Sequence, residues 1–255
     1  MATKIKHLAT RSTSEEQAKR LTEFYGTLFG MTHNNRTSDG YVWVSLGSHG
    51  PGRQAGPDHF GFEVDDVEEV MKRSRAAYPE VSFLQRPSTR PFAEIGSHDP
   101  AGNVFDLYQK KPGASADAEP TPRHLDHFQL RAMNPRALAD FYHQIYGLEL
   151  TAGPAGDFAL TDGRVTFVIA PWNIQDYGET GVVRPAIDHL GFKVENLEAF
   201  AADVDQLRES RPEMFPEGKK DGSEGKRQLE ILAQACQRGR LQLHDPDGWL
   251  LDVRE

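Results

Sequence analysis

Four segments of this chain share one shape, and that repetition constrains the fold more than any single residue does. Each opens with a histidine in a short apolar strand, passes through a polar turn and enters an amphipathic helix. They are IKHLATRSTSEEQAKRL at His7, PDHFGFEVDDVEEVMKR at His59, LDHFQLRAMNPRALADF at His127 and IDHLGFKVENLEAFAAD at His189. The helix starts carry capping residues. Asn134 precedes Pro135, an N-cap followed by proline at the first helical position. Thr13 with Glu16 reads as a capping box, and Asp66 and Asn196 cap the other two helices.

A larger repeat contains the smaller one. TEFYGTLFGM (Thr22–Met31) matches ADFYHQIYGL (Ala139–Leu148), DHFGFEV matches DHLGFKV, and HDPAGNVFD (His98–Asp106) matches HDPDGWLLD (His244–Asp252). The chain therefore reads as two versions of one domain, residues 1–112 and 123–255, each built from two βα units followed by short strands. Residues 113–122 lie in KKPGASADAEPTPR, which has the composition of a linker. Further strands are expected at GYVWVSLGS, RVTFVIAPW and RLQLHDPDG, each edged by turn residues. The second half also carries the segment RPEMFPEGKKDGSEGKRQLEILAQACQRG. Its charged front reads as a surface loop and its back as one helix, forming a lid or an insertion.

Bulk properties narrow the function. A formal net charge of −9 with no basic block argues against nucleic acid. No segment approaches the roughly 18 apolar residues of a membrane span, and the start of the chain lacks the apolar run of a secretory signal. With hydrophobic residues at 38% and charged residues at 26%, the expectation is a soluble, cytoplasmic globular protein. The one cysteine, Cys236, excludes an internal disulfide and reads as an inert thiol.

The chemistry lies in the repeated histidines and acids. Asp106 and Asp252 follow a DP-x-G turn but sit within apolar strands, VFDLY and LLDVR. A carboxylate buried there costs several kcal/mol unless a cation or hydrogen bonds offset it. Each half thus offers two strand histidines and one strand carboxylate in the same order: His7, His59 and Asp106, then His127, His189 and Asp252. Two neutral imidazoles and one carboxylate can make a facial triad that leaves coordination positions open, as in non-haem Fe(II) sites or similar Mn(II), Zn(II) or Ni(II) centres. His98 and His244, just before the turns, are candidate acid–base groups or plain hydrogen bonders at the turn. Arg86, Arg90 and Glu94 are candidates for holding an anionic substrate, or form a solvated strand or loop.

These features resemble the vicinal oxygen chelate superfamily, which includes glyoxalase I, extradiol ring-cleaving dioxygenases, fosfomycin-resistance enzymes and bleomycin-binding proteins. The carriers are the histidine-opened βα units, the helix ends FYGTLFG and FYHQIYG, and the DP-x-G turn followed by an acid. The resemblance implies an α+β fold: four βαβββ modules paired into two domains, each a U-shaped, mixed, eight-stranded cup with metal inside. It places the metal ligands at His7 or His127, at His59 or His189, and at Asp106 or Asp252. It also puts the working metal of dioxygenases in one half, for which the second is the expectation, with metal in both halves as the alternative.

Three departures stand out. Aspartate replaces the usual glutamate. YVWVSLG and VTFVIAP lack the extra ligand of glyoxalase-like members. Gly96 and Gln242 stand where the extradiol signature has tyrosine, three residues before Asp-Pro. The expected function is a metal-dependent enzyme, with Fe(II) as first choice, that chelates a small substrate through vicinal oxygens and takes dioxygen as co-substrate. A glyoxalase-like lyase or isomerase and a ligand-sequestering resistance protein are the alternatives. The sequence does not fix the assembly; paired-module proteins of this kind commonly form a homodimer.

Overall fold

Each half of the chain builds one mixed sheet. The computed structural model describes residues 3–32, 37–48, 55–87, 93–110, 117–179, 185–215 and 240–255. In the first half the strands are β1 (Thr3–Ser12), β2 (Trp43–Ser48), β3 (Gly56–Val64), β4 (Phe83–Gln85), β5 (Ile95–His98) and β6 (Val104–Gln109), in the order β2-β1-β3-β6-β5-β4. The second half contributes β7 (His124–Ala132), β8 (Glu149–Ala152), β9 (Phe158–Thr161), β10 (Thr166–Pro171), β11 (Ile187–Lys193), β12 (Arg240–His244) and β13 (Leu250–Arg254), in the order β12-β13-β11-β7-β10-β9-β8. Both sheets share a central pattern. The first strand of the half pairs antiparallel with the strand opening its second module, which pairs parallel with the carboxylate strand.

The eight strands per cup implied by the resemblance become six and seven among the described residues. The opening module of the first half shows β1 and β2, with a single bridge from Ser38 to Trp43 where the second half has the hairpin β8–β9. Parts of the linker and of the inserted segment (111–116 and 216–239, with Cys236) lie outside the described residues, as does Arg90.

Among the described residues five α-helices accompany the strands: α1 (Glu15–Phe29), α2 (Val67–Ala77), α3 (Pro135–Tyr146), α4 (Ile174–Glu179) and α5 (Leu197–Ser210). Asp66, Asn134 and Asn196 cap as expected, each accepting a hydrogen bond from a backbone N–H three residues on. At α1 the cap shifts by one residue. Ser14, in extended conformation, accepts from Gln17 N, so the Thr13–Glu16 box does not form the helix start. Gly30 and Gly147 close α1 and α3 with φ of 65° and 69°, which explains the glycine that ends both FY motifs.

Alternation along the strands sets one face of each sheet into the core. Leu8, Phe60, Phe62, Phe105 and Leu107 point there from the first sheet, and Phe128, Leu130, Phe167, Leu190, Phe192 and Leu251 from the second. The core crosses the repeat boundary. Phe60 packs 5.4 Å from Phe128 and 5.2 Å from Phe167, Phe29 of α1 stacks 4.0 Å from Phe192, and Tyr146 of α3 stacks 4.9 Å from Phe62. The first helix of each half therefore packs on the strands of its own half and also reaches the other half's sheet through these rings. Each of these aromatic side chains contributes roughly 1.5–3 kcal/mol by burial. The opposite faces of the two sheets carry the histidines and aspartates.

Candidate metal centres

Strand register brings each set of three together. In the first half one cross-strand row reads Trp43, His7, Gly61, Asp106, Gly96. The matching row of the second half reads Thr166, His127, Gly191, Asp252, Gln242. His59 and His189 stand two residues before their glycines, on the same face of the sheet. In each set the ligating atoms of both histidines and the aspartate lie within 4.8 Å of one another, and all six residues are buried.

In the first set His7 Nε2 is 3.3 Å from His59 Nε2, which is 3.0 Å from Asp106 Oδ2. In the second His127 Nε2 lies 3.3 Å from His189 Nε2 and 3.5 Å from Asp252 Oδ2. Imidazole Nε2 atoms facing one another beside a carboxylate oxygen form the donor set a small divalent cation takes, so the residues fit a metal ion.

The glycines are what let the rings meet. A Cβ at Gly191 would fall inside the His127 imidazole, and one at Gly61 would press at 3.1 Å on both the Asp106 carbonyl and His7 Cβ. The repeated H-x-G of DHFGFEV and DHLGFKV thus belongs to the site, although it reads in the sequence only as a landmark.

A second feature recurs four times. The strand pairing skips one residue immediately before each histidine: Lys6, Asp58, Asp126 and Asp188. Each is the extra residue of a β-bulge, a device that turns a side chain out of strict alternation. Three of the four are aspartates, and their carboxylates meet the ring of the next residue. Asp58 is 3.0 Å from His59 Nδ1, Asp126 is 2.8 Å from His127 Nδ1, and Asp188 lies 3.6 Å from His189 Nδ1. Each aspartate is held in turn by an arginine: Arg11 at 2.8 Å, Arg254 at 2.5 Å and Arg131 at 2.8 Å. A carboxylate on Nδ1 fixes the tautomer and aims Nε2 at a metal. The dipeptide Asp-His, present three times in the sequence, was the available signal.

Charge follows from this wiring. Burial, and then the neighbouring His59 ring, pushes His7 down to about 3, so its imidazole is neutral. Burial opposes charge on His59 and His127 too, but the carboxylates on both sides outweigh it and raise them. The His59 bond holds Asp58 well below the usual carboxylate range. Asp252 is held low as well, because His127 and Arg240 overcome its burial.

An arginine also stands at each of the two candidate ligand carboxylates. Arg86 reaches Asp106 Oδ1 at 2.8 Å, through space left by Gly96, and Arg240 forks onto Asp252 at 3.1 and 2.5 Å.

The remaining candidates fall in different places. Arg86 lines a cleft of about 450 Å³ with Arg11, Asp58, His59, Leu84, Pro87 and Val104. The Glu94 carboxylate instead accepts from Gln109 N at the end of β6. His98 has both ring nitrogens engaged, one with the Asp99 carbonyl and one with Ser82. His244 faces the second cup, in the row His189, Leu250, His244, about 10 Å from His189 across two strand spacings. Burial lowers its pKa.

The DP-x-G turns hold buried carboxyls of their own. Asp99 accepts from Ala101 N, Asn103 N and Tyr142 Oη, and Asp245 accepts from Asp247 N, Trp249 N and Tyr25 Oη. Each tyrosine comes from the FY motif of the other half.

No protein-family model matches the sequence, and no curated protein matches it. Solved structures do. The 2,3-dioxygenase LapB from Pseudomonas sp. KL28 superposes with a TM-score of 0.60 and 17% identity, covering 98% of this chain and 91% of that one. A variant of homoprotocatechuate 2,3-dioxygenase from Brevibacterium fuscum gives 0.62 and 15%, covering 99% and 71%. The Mn(II)-bound glyoxalase from Novosphingobium aromaticivorans gives 0.60 and 12%, covering 99% and 81%. Identities this low carry the fold alone, and these neighbours share one superfamily fold. The chain has the vicinal oxygen chelate fold, in its tandem form.

Proposed function

We propose that this chain is a metal-dependent enzyme that chelates a small aromatic substrate through two vicinal oxygens, and that it cleaves the ring with dioxygen as an extradiol-type dioxygenase. The observation that carries the reading is the convergence, in both halves, of two imidazole Nε2 atoms and one aspartate oxygen within 4.8 Å. Fe(II) is the ion of choice, with Mn(II), Zn(II) or Ni(II) as the others this donor set accepts. When bound, the ion supplies a Lewis acid and a template for the two oxygens of the substrate.

The chain's own residues supply the rest. In the first half, the cleft of about 450 Å³ opens beside His59, with exposed Leu84 and Val104 suited to an aromatic ring. Arg11 and Arg86 line it as ion pairs with Asp58 and Asp106, giving it polar groups for a polar substituent. In the second half, His244 is the group placed to accept a substrate hydroxyl proton, since burial keeps its ring neutral near pH 7. The fork from Arg240 keeps Asp252 ionised and oriented.

Trp43 and Thr166 stand beside His7 and His127 in their rows, and neither is a carboxylate or amide. That arrangement favours three-ligand oxygen chemistry over the four-ligand glyoxalase reaction. A sequestering protein without metal would have no use for two such triads.

The test is elemental analysis of chain purified without chelators, alongside Asp106→Ala and Asp252→Ala. Each variant is expected to lose about one equivalent of metal per chain, and oxygen uptake with catechols or hydroquinones should fall at least tenfold in one of them. Unchanged metal content in both variants refutes the reading.

A further inference from the structure

The four bulge residues do not match, and the mismatch sorts the two centres. Asp58, Asp126 and Asp188 each place a carboxylate by Nδ1 of the following histidine, and each is pinned by an arginine. The fourth position inverts the charge. Lys6 occupies the bulge before His7, and its ammonium is drawn 2.6 Å from Asp117, which also binds Lys4. Lys6 lies over the Tyr41 ring as well, at 3.9 Å. Among the described residues no carboxylate meets His7 Nδ1.

The second half therefore has an anionic partner behind both imidazoles, and the first half behind only one. We infer that the two centres hold metal unequally: His127, His189 and Asp252 form a tight, slowly exchanging site, and His7, His59 and Asp106 a weaker, faster one, with Asp58, Asp126 and Asp188 as positioning residues and Lys6 as the cause of the difference.

The physical basis is general. A carboxylate behind an imidazole makes the other ring nitrogen a stronger donor and removes rotational freedom that binding would otherwise have to freeze. Losing one such partner typically weakens a metal site about 10–100-fold. At Lys6 the carboxylate is absent by sequence: the Lys6 ammonium turns to Asp117 instead, and an uncharged backbone group at Trp43 is what meets the His7 ring. The same asymmetry gives the chain one resident ion and one that exchanges with the surrounding pool.

This inference rests on the proposed metal-dependent function, and one experiment separates the two. The full chain is loaded with Zn(II) alone, and its release to the chromophoric chelator 4-(2-pyridylazo)resorcinol is followed by absorbance. Two equivalents are expected, leaving in phases whose rates differ about 10–100-fold. His59→Ala should remove the fast phase and His189→Ala the slow one, with circular dichroism confirming that each variant is folded. The milder pair Asp126→Asn and Asp188→Asn, combined, should speed the slow phase until the two phases merge, while Asp58→Asn speeds only the fast phase. Two equivalents leaving in a single phase, or a fast phase that disappears with His189→Ala, overturn the inference while leaving metal binding intact. A chain that takes up no zinc overturns the metal reading itself, and this inference with it.

Discussion

Single residues decide whether the donor atoms can meet. Gly191 holds an ordinary strand conformation, so it is required for space rather than for backbone freedom: the His127 ring lies where its side chain would be. Gly191→Ala should leave the fold standing, because a ring at the end of a side chain can swing away, but the swung ring no longer faces His189. The expected result is loss of about one equivalent of metal with a stability change under roughly 2 kcal/mol, checked by elemental analysis and thermal melting. The grouping of His7, His59 and Asp106, and of His127, His189 and Asp252, was legible in the sequence because these residues recur in register. Gly61 and Gly191 recur too, yet a glycine in a strand has no chemistry of its own and reads as spacing. The supporting aspartates were hidden for another reason. Strict alternation puts the neighbour of a strand histidine on the opposite face, and only the bulges at Asp58, Asp126 and Asp188 undo that rule. Arg86 and Arg240 reach their aspartates from different strands, so no shared spacing could reveal them.

At the scale of elements, the DP-x-G turns do more than reverse the chain. Each encloses a carboxyl, Asp99 or Asp245, and burial raises both. Asp245 is pushed from 3.8 up to about 7. A carboxyl that keeps its proton longer in the folded chain than in the unfolded one favours folding fully below about pH 4. That contribution is lost as the pH rises through about 7. Melting temperatures of the natural chain and of Asp245→Asn should therefore diverge between pH 4 and 7, the natural chain losing ground, and run parallel above that range. A constant difference across the range would contradict the assignment. The turn and the FY helix ends were both visible as repeats, as were three of the four helix caps. Their connection was not, because a hydrogen bond between residues 25 and 245 leaves no local pattern. The α1 cap slipped by one residue because Thr13 and Ser14 are both hydroxyl residues with a polar partner three positions on.

The whole molecule behaves as more than two domains joined by a linker. Phe60, Phe128 and Phe167 pack across the repeat boundary, and Arg73 and Arg123 each donate to a backbone carbonyl of the other half. Calorimetry should show one unfolding transition for the pair of sheets, and two well-separated transitions would contradict this shared core. No helix among the described residues is long and apolar enough to cross a membrane. The two-sheet architecture was legible because the halves repeat one pattern of strands and helices. The aromatic contacts across the boundary were not, since a repeat fixes what each half looks like and leaves open how the two halves meet.

The crossed bonds of Tyr25 to Asp245 and Tyr142 to Asp99 also bear on how the chain matures during synthesis. Domains emerging from a ribosome generally fold in turn, the leading one first. Here the leading half emerges with the Asp99 carboxyl lacking its phenol until residue 142 has been made, and with Tyr25 unanswered until residue 245. The rings that cover its Phe60, Phe62 and Phe105 arrive only with residues 128–167, so the leading half completes its packing after its own sequence has been made.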